Sequence, residues 1–282
     1  MQKELALRLA VFFGVFIIMA LWEVIAPKRK LTVSKAERWF NNLSIIVIDN
    51  LLLYLLAPAI AITTAFAVQR AGWGLLNYLH MSFWPSVIMS VLFLDMVIYL
   101  QHLMFHAVPL LWRFHMMHHA DLDIDVTTGL RFHPVEILIS MGIKIAAISV
   151  IGAPVLAVLI FEIVLNGTSM FNHSNVRMPY NMDRLLRLLV VTPDMHRVHH
   201  SVTIRETNSN FGFNFPWWDR IFGTYRAQPA AGHQGMTIGL AQYRHRSQVT
   251  LPRLLVLPFV GNPGFYSINK SGREPVRTNR LR

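Results

Sequence analysis

The chain contains no cysteine. That excludes disulfides and thiolate metal ligands, and leaves the redox compartment open. Charge is scarce: Asp, Glu, Lys and Arg make up 15% of 282 residues, against 54% hydrophobic. Acid is scarcer than base, with 15 Asp and Glu against 26 Lys and Arg, for a formal charge of +11. The basic residues cluster in loops and tails beside apolar runs. That is the ordinary distribution of cytoplasmic membrane-flanking segments, so nucleic acid is excluded as a partner. No cleavable signal peptide is expected, because Met1 to Arg8 leads straight into an apolar stretch too long for a signal h-region. No internal repeat is present.

What the chain does have is long apolar sequence. One run covers about Leu7 to Ala26, and about 20 apolar residues suffice to cross a bilayer. A second covers about Leu43 to Val68, with Asp49 and Asn50 near its start, and a third about Trp84 to Phe105. The loop after the first run carries Lys28, Arg29, Lys30, Lys35 and Arg38, whereas the loop after the second carries only Arg70. This imbalance places the first loop in the cytoplasm and the N-terminus outside. The fourth stretch, Val135 to Met170, is too long for one ordinary span, and Gly152-Ala153-Pro154 interrupts it. It reads as a hairpin of two short helices. The expected fold is an all-α membrane protein of about three transmembrane helices plus a helical hairpin, capped by a cytoplasmic helical region.

Eight histidines fall in three tight groups: His102 and His106; His115, His118 and His119; His196, His199 and His200. Residues three and four apart share a helix face, so each group is expected to present its rings in one direction. Neutral imidazole ligates iron, zinc and copper alike. The groups supply more nitrogens than one ion can use, which indicates a two-metal site. His173 follows the hairpin directly and is a ninth candidate ligand. With two hairpin crossings, all of these meet at the cytoplasmic face; with one they would not.

Other residues are candidates to support the ligands. Asp95, Tyr99, His102 and His106 form one stripe along the third span. Asp95 can orient a ligand or serve as a polar packing residue. His133 is open between ligand, ligand support and a hairpin-entry residue held by Pro134. Asp194, in the helix start Thr192-Pro-Asp194, and Asn210 and Asp219, in an aromatic and glycine-rich segment, are further candidate braces. Asp121, Asp123 and Asp125 alternate with apolar residues but lack calcium-loop offsets, and read as a solvated rim. His80, on the outer loop, cannot reach the site, and His233 and His245 are expected to be exposed. Leu251 to Phe265 can lie along the membrane surface.

The spacings His102xxxHis106, His115xxHis118His119 and His196xxHis199His200 resemble the three histidine boxes of the fatty acid hydroxylase / sterol desaturase superfamily of integral-membrane di-iron enzymes. Arg131-Phe-His-Pro134, His173-Ser-Asn175 and Trp218-Asp-Arg-Ile-Phe-Gly-Thr224 add to the likeness, which covers about Asp95 to Tyr225. The resemblance is to the bacterial sterol-desaturase-like group, with some similarity to alkylglycerol monooxygenase. It implies two iron ions, with zinc able to replace them in a purified sample. It also implies dioxygen, electrons from a separate donor protein, and hydroxylation or desaturation of a membrane lipid such as a fatty acyl chain, sterol or ether lipid. The expected organisation is N-terminal transmembrane helices over 1–82, a catalytic domain over 83–225 and a basic cytoplasmic tail over 226–282. In a bacterium the location would be the inner membrane. Phe105, Met116, Met117, Phe132 and Phe171 are candidate substrate-lining residues. The competing class is a non-redox metal-binding or metal-transport protein, which should hold its ligands along the middle of several spans. A haem protein needs two opposed ligands and fits least.

Overall fold

The computed structural model describes residues 2–56 and 60–269, leaving aside the side chains of 2–4. Among the described residues the chain is helical, with only two isolated bridges, Pro27 to Val176 and Ser201 to Ile238. The helices are α1 (Gln2–Ile25), α2 (Lys35–Leu56), α3 (Ile60–Ala71), α4 (Leu75–Tyr78), α5 (Phe83–Ala107), α6 (Pro109–His119), α7 (Pro134–Ile151) and α8 (Val155–Asn172). They continue with α9 (Tyr180–Leu186), α10 (Pro193–His199), α11 (Ile204–Thr207), α12 (Trp217–Ile221), α13 (Gly232–Gly235) and α14 (Leu251–Val260). Five segments are long and apolar enough to span a bilayer, which makes this a multi-pass membrane protein.

The spans run between two ends. α1 finishes beside the histidine layer, where Glu23 accepts hydrogen bonds from the backbone of Val126 and Asn175. α2 starts in that layer, where Arg38 pairs with Asp121. The chain reaches the opposite end after α3, at the turn that meets the hairpin tip. A Cβ on Gly74 would lie 2.3 Å from Gly152 Cα, so this contact requires glycine. Gly152 itself closes α7 at φ +76, a left-handed conformation natural for glycine. Pro154, which cannot continue a helix, then sets the start of α8. α7 and α8, 18 residues or about 27 Å each, therefore leave the histidine layer and return to it. α5 packs on both, and α1 packs on α8.

Proline also shapes the layer that holds the histidines. Val108 is extended and Pro109 opens α6, so the chain bends sharply between α5 and α6. The two helices then face each other and bring their histidines together. α6 is two-sided: Trp112, Met116 and Met117 point into a core with Leu240, Tyr243, Leu254, Leu257 and Tyr266. Leu240, Tyr243, Val249, Leu254, Leu257 and Tyr266, all within the expected 226–282 tail, are thus buried against α6 and Ile45 of α2. The basic end, residues 270–282, lies outside the described residues. α14 has a buried face at Leu254 and Leu257 and an exposed one at Val256, Phe259 and Val260, as a helix lying along a membrane surface would.

The three aspartates of 121–125 correct the reading of a solvated rim. All are buried. Arg38 donates from Nε and Nη2 to the two Asp121 oxygens, at 2.8 Å each, and from Nη1 to Asp125. Asp123 accepts from the backbone N–H groups of Thr32 and Val33. Burial alone would raise the Asp121 carboxyl, but the guanidiniums of Arg38 and Arg131 outweigh it and hold it well below the usual carboxylate range.

Candidate metal centre

The nine histidines converge into two adjacent groups. His102, His106, His115, His119 and His199 form the first; His118, His173, His196 and His200 form the second. Within each group the candidate ligand atoms all lie within 4.8 Å of one another, and every ring is buried. The expectation that each sequence cluster faces one way is corrected. His118 and His119 are successive on α6, about 100° apart around its axis, and they enter different groups. His199 likewise faces the first group, while His196 and His200 face the second. Each of the two triplets thus contributes to both.

Six of the rings are held by their Nδ1. His102 donates to Phe211 O at 2.8 Å, His115 to Glu136 Oε1 at 2.7 Å, and His118 to Arg131 O at 2.9 Å. His173 donates to Ser169 O at 2.7 Å and His199 to Ser209 O at 2.8 Å. His106 bonds Asn208 Oδ1 at 3.0 Å, and the Asn208 amide is oriented because its Nδ2 donates to Tyr266 O. Each acceptor lacks a proton, so the hydrogen sits on Nδ1 and the Nε2 lone pair points inward. Burial, reinforced by neighbouring imidazoles, holds His118, His119, His196, His199 and His200 well below the ordinary histidine value. Burial lowers His173 to about 4. Burial thus favours the neutral form of these six rings, the form able to bind a metal.

The inward nitrogens have no partner other than one another. His102 Nε2 lies 3.1 Å from His115 Nε2, and His118 Nε2 lies 3.2 Å from His173 Nε2. With the protons on Nδ1, lone pair faces lone pair in both pairs. Such spacings suit neighbouring donors on one ion with metal–nitrogen distances of about 2.1 Å. The Nε2 atoms of His106, His119 and His199, and both nitrogens of His200, are buried without a hydrogen bond. Each unsatisfied buried group costs roughly 1–3 kcal/mol, and a cation would satisfy them together. The donor set fits metal ions on these grounds.

The supporting residues differ from those expected. Asp95 touches no histidine. It accepts from Trp218 Nε1 at 2.7 Å and from the backbone of Asn214 and Phe215. It pins the loop that carries Phe211. Tyr99 bonds Thr224, which donates to Asp219. Asp219 in turn accepts from the N–H groups of Phe211 and Gly212. Burial pushes Asp219 up to about 6 against those hydrogen bonds. Asp95, Tyr99 and Asp219 thus act on His102 only through the Phe211 carbonyl. Asn210, at φ +55, ties Met195 O to Arg226. Asp194 pairs with Lys28 and Arg197 rather than with a ligand.

His133 joins neither group. It caps α7, accepting from Val135 N at Nδ1, and bonds Leu255 O through Nε2. His80 and His245 are exposed, but His233 is partly buried 3.7 Å from Asp194. Glu136 and Asn208 were missed as supports. Glu136 had a signal, a lone carboxylate two residues into an apolar span. Asn208 had none, and backbone carbonyls never do. Asn208→Ala is expected to weaken metal affinity about 10–100-fold, because His106 loses its acceptor. Chelator competition measures it, and an unchanged affinity would show that His106 needs no such support.

Two aromatic rings adjoin the site without being fully buried. Phe132 stacks on His118 with centroids 4.5 Å apart and planes 9° apart. Phe213 lies 6.2 Å from His102 and 6.5 Å from Phe132. Of the other candidate lining residues, Met116 and Met117 pack away from the histidines and Phe171 packs against the cluster that includes Met19 and Met170. Phe105 is buried against His115.

Fold and site define a multi-pass membrane protein with a buried polyhistidine cluster, suited to hold metal, at one end of its spans. Residues 87–224 match the family model described as Fatty acid hydroxylase, and this part of the chain belongs to that family. The chain is 28% identical over 226 residues to the ornithine lipid hydroxylase of Rhizobium tropici, covering 78% of this chain and 67% of that protein. It is 30% identical over 146 residues to human cholesterol 25-hydroxylase, covering 50% and 51%. It is 30% identical over 155 residues to human alkylglycerol monooxygenase, covering 55% and 33%. The chain thus spans about half of the second relative and a third of the third. No solved structure matches.

Proposed function

We propose that this chain is a membrane lipid hydroxylase working with two iron ions. The observation that carries this is the pair of buried histidine groups, six of whose nine rings are anchored outward at Nδ1 while their inward nitrogens converge. His102, His106, His115, His119 and His199 would hold one ion, and His118, His173, His196 and His200 the other. When bound, the iron pair supplies the oxidising power to insert oxygen into an unactivated C–H bond. In balance, the C–H bond, dioxygen, two electrons and two protons give a C–OH group and water. The electrons would come from a separate donor protein.

The chain's own residues supply three things. The Nδ1 anchors fix six of the nine rings before substrate arrives, so little reorganisation of these is needed during reaction. The buried lining excludes bulk water from the reacting carbon. Phe132 and Phe213, half-buried beside the second group, offer an apolar surface over which a lipid chain can reach the metals. Ligands gathered at one membrane face favour an enzyme over a transporter, whose sites lie at mid-span. The segment holding Lys28, Arg29 and Lys30, with Lys35 and Arg38 at the start of α2, lies at the histidine end, which supports a cytoplasmic site and an outer N-terminus. The names of the relatives favour hydroxylation over desaturation and a lipid as substrate.

Mass spectrometry of lipids from cells with and without the gene tests this reading. A lipid heavier by one oxygen is expected only when the gene is present. A product lighter by two hydrogens would replace hydroxylation by desaturation, and identical lipid profiles would defeat the proposal.

A further inference from the structure

A cleft of about 320 Å³ opens where α1 meets the histidine layer. Glu23, Val24, Arg29, Lys30, Lys35 and Asn175 are among its walls. We propose that it binds the headgroup of an anionic, phosphate-bearing membrane lipid from the leaflet on the histidine side.

The depth of the cleft suits a headgroup. The apolar run of α1 ends at Ile25, and Leu21, Val24 and Ile25 are 57%, 70% and 81% exposed just below it. A lipid seated there would keep its acyl chains against this apolar face and place its polar end among the basic residues. The walls are built rather than loose. Arg29 donates to His233 O and to Met236 O, its backbone N–H bonds Asn175 Oδ1 at 3.0 Å, and Asn175 Nδ2 returns a bond to Arg29 O at 2.8 Å.

The charge is unbalanced. Three cations line the cleft against one carboxylate, Glu23, and that carboxylate is already engaged by Val126 N, Asn175 N and Lys35. Lys30 has no hydrogen-bond or ion-pair partner among the described residues and is exposed. An anion is the complement that this arrangement lacks, and a phosphodiester suits a guanidinium flanked by ammonium groups. The site requires only that the chain sits in a membrane. It is independent of the oxidative chemistry proposed above, and its test uses no turnover.

The full chain in detergent micelles is titrated with dihexanoyl phosphatidylglycerol, dihexanoyl phosphatidylcholine and inorganic phosphate, with binding read by calorimetry. The anionic lipid is expected to bind about tenfold or more tightly than the zwitterionic one, given the strength of basic residues near a membrane surface. Added salt should narrow that difference. Lys30→Glu should abolish it and Lys30→Gln reduce it. Lys30→Arg, and Arg184→Glu at an exposed position on α9, should preserve it. Because Lys30 is exposed and unpaired, its variants should keep wild-type circular dichroism. Equal binding of the two lipids, or an undiminished preference in Lys30→Glu, would overturn the proposal. So would inorganic phosphate binding as tightly as phosphatidylglycerol, which would make this a site for soluble anions.

Discussion

Replacing His199 with alanine is expected to abolish turnover, by more than about 100-fold, beyond the 10–100-fold typical of losing a supporting partner. The reason lies in its position. The His199 ring centroid is 4.5 Å from that of His102, 4.8 Å from His106 and 4.6 Å from His119. Its Nδ1 is fixed on Ser209 O, so its Nε2 can serve only inward. Without it the first group keeps four rings and loses one whose approach is set by α10 rather than by α5 or α6. Elemental analysis should show about two metal ions per wild-type chain, by the proposed pairing. His199→Ala should deplete one ion, and His118→Ala, in the second group, should deplete the other. Helical content should stay unchanged in both. Turnover like that of the wild type in His199→Ala would remove this residue from the metal shell.

The largest expected loss of stability is at Arg38. Its guanidinium is 4% exposed and engages Asp121 through two nitrogens, Asp125 through a third, and Thr128 Oγ1 at 3.0 Å. Arg38→Ala would leave two buried carboxylates short of a counter-charge, and breaking a buried pair in this way costs about 3–5 kcal/mol. Arg131 cannot take over. Its Nη1 is 3.7 Å from Asp121, and its Nε and Nη2 are committed to Met117 O. Arg38→Lys should be intermediate, because one ammonium cannot reproduce the fork. The melting midpoint of the detergent-purified protein measures the effect. Its fall should be accompanied by metal loss, since the same loop presents Arg131 O to His118. A midpoint unchanged in Arg38→Ala would mean that the aspartates are stable without it.

Much of this molecule is legible along the chain. The hairpin is visible because Gly152 and Pro154 each impose a backbone conformation that ends a helix. The gathering of the histidines at one end of the spans follows from counting crossings. What eluded the sequence are partners with no side-chain signature, namely the carbonyls of Phe211, Arg131, Ser169 and Ser209 that orient four of the rings. Asp95 shows the opposite failure. An ionisable group on the same stripe as two ligands looks like a support, yet its acceptors are filled by Trp218 and the backbone near it. The aspartates of 121–125 looked solvated because alternation with apolar residues is a local pattern, and Arg38 arrives from 83 positions away.

By itself the sequence determined that this chain crosses a membrane, where its helices break, and that its histidines recur at helical spacing. These are local properties, set by side-chain solvation, by proline and glycine stereochemistry and by the pitch of a helix. Only the tertiary structure decided how the rings divide into two groups, which oxygens hold six of their Nδ1 atoms, and which charges stay buried as pairs. Those outcomes depend on which distant segments come within hydrogen-bond reach, and no short stretch of sequence carries that information.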